Sequence, residues 1–270
     1  MKYYLCNSLA NNGIKPNLEK NIKVVDVVGL NFNKFFDELK KEDEVVLVGG
    51  DGTLSYFCKE MKDYHIKNNV YLLGAGTGND FLNDINEKPG KEILINRYLI
   101  NLPMVHVKGI DRPFIDNMGY GIDGYVCEEA DRLKKKNPNT KINYTLIALK
   151  GLLKDFKPRS VDLEIDGKCY HYDHVWLAPT MKGRFYGGGM MIAPEQDRNS
   201  NKLTVVIYTG TNMLRTLYLF TKIYKGKHTK YKDVVHIFTG NKIHVKFDKP
   251  CAAQIDGDTG LEVSEYYAEL

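Results

Sequence analysis

The 270-residue chain has no run of about 18 apolar residues, which excludes a membrane-spanning helix. Its start, "MKYYLCNSLANNG", offers only a short apolar stretch before polar residues, too little for a secretory signal. Any membrane contact is therefore expected to be peripheral, from a cytoplasmic setting. Cysteine is sparse: Cys6, Cys58, Cys127, Cys169 and Cys251 lie far apart, form no C-x-x-C pair and leave one unmatched. That argues against a disulfide framework or a thiolate metal site and for free thiols in a reducing compartment. An excess of one charge is also missing, with 38 Lys and Arg against 34 Asp and Glu. A balance so even does not suit nucleic-acid binding, although it tolerates phosphate-bearing ligands. G-x-S-x-G, H-E-x-x-H and H-R-D segments do not occur, the seven histidines show no metal-ligand spacing, and there is no internal repeat.

What is present changes character near Pro103. Before it, Lys2 to Cys6, Lys23 to Val28, Glu44 to Val48 and Val70 to Leu73 read as buried strands, while Phe32 to Lys40 and Leu54 to His65 carry helical spacing. The alternation predicts a parallel sheet with crossover helices over residues 1–102. After Pro103, β-rich segments separated by turn residues predict a second, antiparallel β-rich domain over 103–270. Its last residues are allowed a return to the first domain. Asp166-Gly167 marks a hairpin, and Tyr125 to Lys136 and Thr140 to Lys154 read as helices set among the strands. The fold class is thus α/β plus antiparallel β.

Chemistry enters at "VVLVGGDGTLSYF" (45–57) and "LLGAGTGNDF" (72–81), each a strand running into glycines and then a helix. In an open α/β sheet, ligands settle at the carboxyl ends of strands, where glycines let backbone amides reach phosphate oxygens. One such loop is equally a tight turn that starts a helix; two at neighbouring strand ends can cradle one polyphosphate. Neither matches G-x-x-x-x-G-K-[ST] or G-x-G-x-x-G. Asn79-Asp80 is placed to cap the helix that follows. Asp51 is either an organiser of magnesium and phosphate or a helix cap.

"GGDGT" (49–53) followed by "GTGNDF" (76–81) resembles the diacylglycerol kinase catalytic-domain family, which includes bacterial lipid kinases and sphingosine kinases. "NMGYGIDGYV" (117–126), "FYGGGMMIAP" (185–194) and "QIDGDTGLEV" (254–263) resemble later landmarks of the same family, so the likeness spans nearly the whole chain. The resemblance implies ATP-dependent phosphorylation of a hydroxyl on a diacylglycerol-like lipid, with ATP and Mg2+ held by Gly49, Gly50, Asp51, Gly52, Thr53, Gly76, Thr77 and Asn79, and with Asn7 as a further contact. It implies Asp258 as the general base and places Asp123 near the cleft.

Three places depart from the family pattern. Asp258 stands where the family has glutamate, one carbon–carbon bond of about 1.5 Å shorter. The opening segment keeps Asn7 and Gly13 but lacks proline and displaces the first lysine to Lys15. Ser200-Asn201 replaces an Asp-Gly pair of a structural magnesium site, leaving Asp197 and Ser200 as poor replacements. GGDGT alone would also admit a kinase of a soluble substrate, resembling NAD kinases, and these departures keep open a catalytically impaired nucleotide- or lipid-binding protein of the same fold. Between Thr211 and Lys232 no acid occurs, and Lys222, Lys225, Lys227, Lys230 and Lys232 follow the apolar "MLRTLYLF". That segment reads either as a helix resting on an anionic bilayer or as one packed on the β domain. The partner is expected to be a lipid at a membrane surface, not nucleic acid, and an exposed edge strand would suit a homodimer.

Overall fold

The computed structural model describes residues 1–8, 22–76, 78–137, 140, 142–210, 212–259 and 262–270. It forms two compact units, Met1–Leu102 and Pro103–Leu270.

In the first unit the elements are β1 (Lys2–Cys6), β2 (Lys23–Asp26), α1 (Phe32–Asp37), β3 (Glu44–Gly49), α2 (Asp51–Glu60), β4 (Asn69–Gly74), α3 (Asp80–Asp84) and β5 (Glu92–Leu94). The sheet runs β2-β1-β3-β4-β5, parallel except for β5, which pairs antiparallel with β4. Val45, Val46 and Leu47 on the central strand have no exposed surface, as expected of a parallel strand covered on both faces. Because β1 leads to β2 on one side and β3 lies on the other, the order reverses between β1 and β3. Register sets Cys6 beside Val48 and Gly49 beside Gly74. Three strand ends, with Asn7, Gly50 and Ala75 just beyond them, therefore share the carboxyl edge at the switch point where such sheets take ligands. The helix expected over Leu54 to His65 begins at Asp51 and ends at Glu60, since the glycine loop is itself the first helical turn.

The second unit comprises β6 (Met104–Val107), β7 (Ile110–Pro113), β8 (Asn117–Tyr120), α4 (Ile122–Lys136), α5 (Tyr144–Lys150), β9 (Arg159–Ile165), β10 (Lys168–Leu177), β11 (Thr180–Met181), β12 (Phe185–Tyr186), β13 (Met190–Met191), β14 (Leu203–Thr209), α6 (Met213–Ile223), β15 (Val235–Gly240), β16 (Lys242–Cys251), β17 (Ala253–Ile255), β18 (Asp258–Thr259) and β19 (Val263–Glu269). Its large sheet runs β18-β17-β8-β11-β14-β10-β9-β16-β19-β6-β7, with β15 added beside β14, and the pairings are antiparallel. The hairpin expected at Asp166-Gly167 joins β9 to β10, with φ of 49° and 81° at its two central residues, the left-handed pair that a tight two-residue turn demands. β19 pairs with β16 and β6 rather than returning to the first domain. Val263, Tyr266 and Ala268 are buried in the second unit's core, the last two alternating with exposed Tyr267 and Glu269, and that burial holds the strand there.

The two ends of this sheet meet. Arg112 on β7 donates to the Asp258 carboxylate on β18 at 2.7 Å, and Lys108 donates to the carbonyl of Glu262 at 3.1 Å. Tyr120, Phe247 and Tyr266 are buried together beneath the closure.

Candidate functional site

The two glycine loops of the first unit touch backbone to backbone. A Cβ on Gly50 would lie 2.8 Å from the Gly76 Cα, and one on Gly76 would lie 2.5 Å from the Gly50 Cα; the Ala75 N–H donates to the Gly49 carbonyl at 2.9 Å. A Cβ on Gly49 would meet the Thr53 hydroxyl at 2.1 Å. Gly49, Gly50 and Gly76 are thus demanded by packing before any ligand is considered. Gly52 is different, because a Cβ there would meet nothing within 4 Å. It faces open space in the first turn of the ten-residue α2, where the N–H groups of Asp51 and Gly52 find no acceptor among the described residues. Helix amides left this way attract phosphate.

Asp51 holds the loops together. Its Oδ2 accepts from the Asp80 N–H and its Oδ1 from the Phe81 N–H, both at 3.0 Å, so it caps α3 from across the site. Asn79, expected to cap α3, does not. Its φ of 53° is left-handed, and its side-chain amide turns back to donate to the Gly76 carbonyl at 3.0 Å. The Asn79 Oδ1 is left buried and unpartnered among the described residues. Thr53 starts α2 beside these groups, its N–H donating to the Gly50 carbonyl at 3.0 Å. Asn7 follows β1 at the same sheet edge; Thr77, Gly13 and Lys15 lie outside the described residues. A phosphate chain fits the open amides at Asp51 and Gly52. For a magnesium ion arriving with it, Asp51 offers only the lone pairs its two amide partners leave.

In the second unit, Asp123 and Asp258 both act electrostatically on Cys127 of α4. Asp258 begins a two-residue strand whose hairpin turns at Asp256 and Gly257, with φ of 50° and 88°. Its carboxylate is 63% exposed; one oxygen pairs with the buried Arg112 and the other has no partner among the described residues. Next to it, the Thr259 hydroxyl donates to Asp131 at 2.6 Å. Asp123, in the first turn of α4, is buried. Its Oδ1 accepts from the Gly124 N–H at 2.9 Å, and its Oδ2 faces the Gln254 side chain without forming an aligned hydrogen bond. Burial pushes its carboxyl up to about 6, against the Gly124 amide and Gln254, which pull it down. Cys127 lies among Asp123, Asp131 and Asp258, and burial first, then those charges, push its thiol up to about 12. That thiol is protonated and inert as a nucleophile.

Sequence reasoning missed the supports of this hairpin. Asp256 is half-buried, and its carboxylate accepts from the N–H groups of Ile115, Asp116 and Asn117 at 2.9, 2.9 and 3.0 Å; burial raises its pKa while those amides oppose the rise. Arg198 in turn is buried against Asp116 and the Ile115 carbonyl. The Asp-Gly dipeptide signalled the turn, but nothing local in Arg112-Pro113 or Arg198 announces a partner so distant in the chain.

Asp197 and Ser200 do not suit a structural divalent ion. Asp197 accepts from the Asn199 backbone at 2.9 Å, and the Ser200 hydroxyl donates to the Asp197 carbonyl at 2.7 Å. The Gln196 amide faces the carbonyls of Lys182, Asp197 and Lys202. The buried ammonium of Lys182 donates to the Ser200 carbonyl at 3.0 Å, and burial, then the nearby Arg198, lower its pKa. Donors already occupy the carbonyls that a cation would use, and two positive groups stand beside them. Chelation by EDTA should leave the unfolding midpoint of this unit unchanged, whereas Lys182→Met should lower stability by about 2 to 3 kcal/mol, measured by urea denaturation. A midpoint that falls on chelation and is restored by Mg2+ would overturn this assignment. Among the described residues, no group of His, Cys, Asp or Glu has metal-binding geometry.

Known proteins resemble this chain in both units. Residues 12–99 match the diacylglycerol kinase catalytic domain model, and residues 117–265 match the YegS C-terminal NAD kinase beta sandwich-like domain model. A diacylglycerol kinase of Mycobacterium tuberculosis is 26% identical over 215 residues, covering 77% of this chain and 68% of the relative. The Bacillus subtilis protein YtlR is 24% identical over 208 residues, covering 72% and 67%. The solved structure of a diacylglycerol kinase from Bacillus anthracis str. Sterne superposes with a TM-score of 0.67 at 17% identity, covering 99% of this chain and 93% of that one.

Proposed function

The chain belongs to the family that joins a diacylglycerol kinase catalytic domain to a YegS-type C-terminal domain, and from that premise we propose that it transfers the γ-phosphate of ATP to a hydroxyl of a diacylglycerol-like lipid. The observation that carries the nucleotide half of this reading is the Gly50–Gly76 contact, which sets the open amides of Asp51 and Gly52 at the switch point of the sheet. Phosphoryl transfer asks a protein for placement and charge stabilisation more than for covalent help, and a rigid pair of loops supplies placement.

In this reading the Asp51 and Gly52 amides bind the phosphate chain, Asp51 keeps the two loops in register, and Gly49, Gly50 and Gly76 keep side chains out of the path. Magnesium bound with ATP would neutralise charge across the β- and γ-phosphates, with Asp51 as the carboxylate nearest to hand. The lipid oxygen attacks the γ-phosphorus, forming one O–P bond as the bond to the β–γ bridging oxygen breaks and ADP departs. Asp258 accepts the hydroxyl proton on the oxygen that Arg112 leaves unpaired. Asp258 is preferred to Asp123 for this role because it is open to solvent and Asp123 is buried.

Radiolabelled ATP offered with diacylglycerol in mixed micelles, and separately with NAD and other soluble alcohols, tests the proposal. The expected result is labelled phosphatidic acid. Label on NAD alone overturns the lipid acceptor, and ATP binding with no product on any acceptor overturns the kinase.

A further inference from the structure

Two helices of the second unit turn apolar side chains outward. On α6, Thr216, Leu219 and Ile223 face the core, while Leu214 is 81% and Tyr218 50% exposed. On α5 and the wider helical turn that continues it through Asp155, Ile147, Ala148 and Leu152 are buried. Leu146 and Leu153 are 61% and 53% exposed and, with Leu149, repeat at the spacing of one helix face. The hydroxyls of Thr145 and Tyr224 lie 3.5 Å apart, joining the start of α5 to the end of α6. The outward leucines and tyrosines are thus carried on adjoining elements. An apolar patch that a soluble fold leaves uncovered marks an interaction surface.

The charge around it selects the occupant. Residues 212–232 contain no Asp or Glu. Lys225, Lys227, Lys230 and Lys232 are exposed just beyond α6, and the Lys222 ammonium lies 4.4 Å from the centre of the Tyr218 ring. The single cation of α6's first turn, Arg215, is answered by Asp233 at 2.6 Å, and Lys150 on α5 by Asp155 at 2.9 Å, so the unanswered charge gathers at one end. A two-fold contact through this face would set the lysines of one copy against those of the other. An anionic bilayer offers acyl chains to the leucines and headgroup phosphates to the lysines at once. His228 fixes the lysine segment: it is buried and hydrogen-bonds the Ile192 carbonyl at 3.0 Å.

We propose that α5 and α6 form a docking face for an anionic lipid bilayer, with Leu146, Leu153, Leu214 and Tyr218 entering the interface and Lys222, Lys225, Lys227 and Lys230 on the headgroups. This deepens the lipid-kinase reading, on which its biological sense rests, by naming the surface that meets the acceptor's membrane. Co-sedimentation of the full chain with vesicles of phosphatidylglycerol and phosphatidylcholine, without ATP or diacylglycerol, tests it independently of turnover. The expected result is binding to the mixed vesicles and not to phosphatidylcholine alone. Leu146→Glu with Leu214→Glu should weaken binding at least about tenfold, and Lys225→Glu with Lys227→Glu should also flatten its salt dependence. All four positions are exposed, so unchanged thermal melting is expected of both variants. Equal binding by wild type and variants overturns the proposal. So does failure to bind vesicles together with a concentration-dependent dimer, seen by sedimentation, that the leucine variant dissolves. Vesicle binding without phosphorylation of any lipid leaves the docking face standing and removes the kinase reading alone.

Discussion

Asp123→Asn should give a protein more stable than the wild type by about 3 kcal/mol at neutral pH and at least about tenfold slower in phosphoryl transfer. Asp123 is buried, and burial lifts its carboxyl from 3.8 to about 6. The native state therefore holds a proton that the unfolded chain releases between those two values. Stability is lost as pH rises through that window, and above about 6 the full cost of a buried, half-satisfied carboxylate is present. Asparagine keeps the acceptor for the Gly124 N–H and removes the charge. The gain should vanish below pH 4, which separates it from a general packing effect. His228 acts in the opposite sense, because burial lowers it from 6.5 to about 4, so the wild-type curve between pH 4 and 6 should be shallow and the variant's should rise with pH. Denaturant titrations across pH 4 to 8 measure this. A variant that is weaker at neutral pH would mean that Asp123 is held as a satisfied carboxylate. A costly acid retained where Asp258 also acts on the same thiol, Cys127, is the pattern of a functional cluster, and the slower transfer follows from removing that charge.

Asp51→Asn should lower transfer about a hundredfold, the scale on which a displacement of an ångström slows a positioned reaction. It should also cost about 2 to 3 kcal/mol of stability. The carboxylate receives two backbone N–H groups, one on each oxygen; asparagine offers one acceptor and turns a donor against the other amide. Gly52→Ala is the counterpart. Its Cβ meets nothing within 4 Å and it lies inside a helix, so alanine should add up to about 1 kcal/mol. Activity lost with stability gained at position 52 would report a ligand occupying that space. Unchanged ATP binding, by calorimetry, in both variants would dismiss the loops as the nucleotide site.

The elements set by local pattern were legible in the sequence. The apolar run of β3 from Val45 to Val48, the helical spacing of Phe32 and Phe36 and the Asp166-Gly167 turn all form where their residue types direct. The glycine loops were legible as a site, but part of the reason for their glycines was not. Gly50 and Gly76 answer to each other across 26 residues, and such a contact leaves no trace in either segment. Asp51 was recognised as a carboxylate of consequence, with capping as one reading, yet the helix it caps is α3 and not its own. Asn79 has the right residue type for a cap but the wrong backbone angle, which composition does not encode. In the second unit Asp258 drew notice by resemblance, while Asp256 beside it carries more of the structure, because three amides some 140 residues earlier in the chain converge on it. α4 begins at Ile122, three residues ahead of expectation, since the glycines at 121 and 124 disguise its first turn.

The ion pair between Arg112 and Asp258 links the first and last members of an eleven-strand order. A row of unanswered amides at a sheet margin is a template for neighbours and a seed for fibrils. Here the strands at the two ends of that order hold two and four residues and turn toward each other, so those ends offer little that a second chain could extend, and the longer strand with a single neighbour is β15, beside β14. Swapping of the hairpins at those two ends would first have to break a buried guanidinium away from its carboxylate.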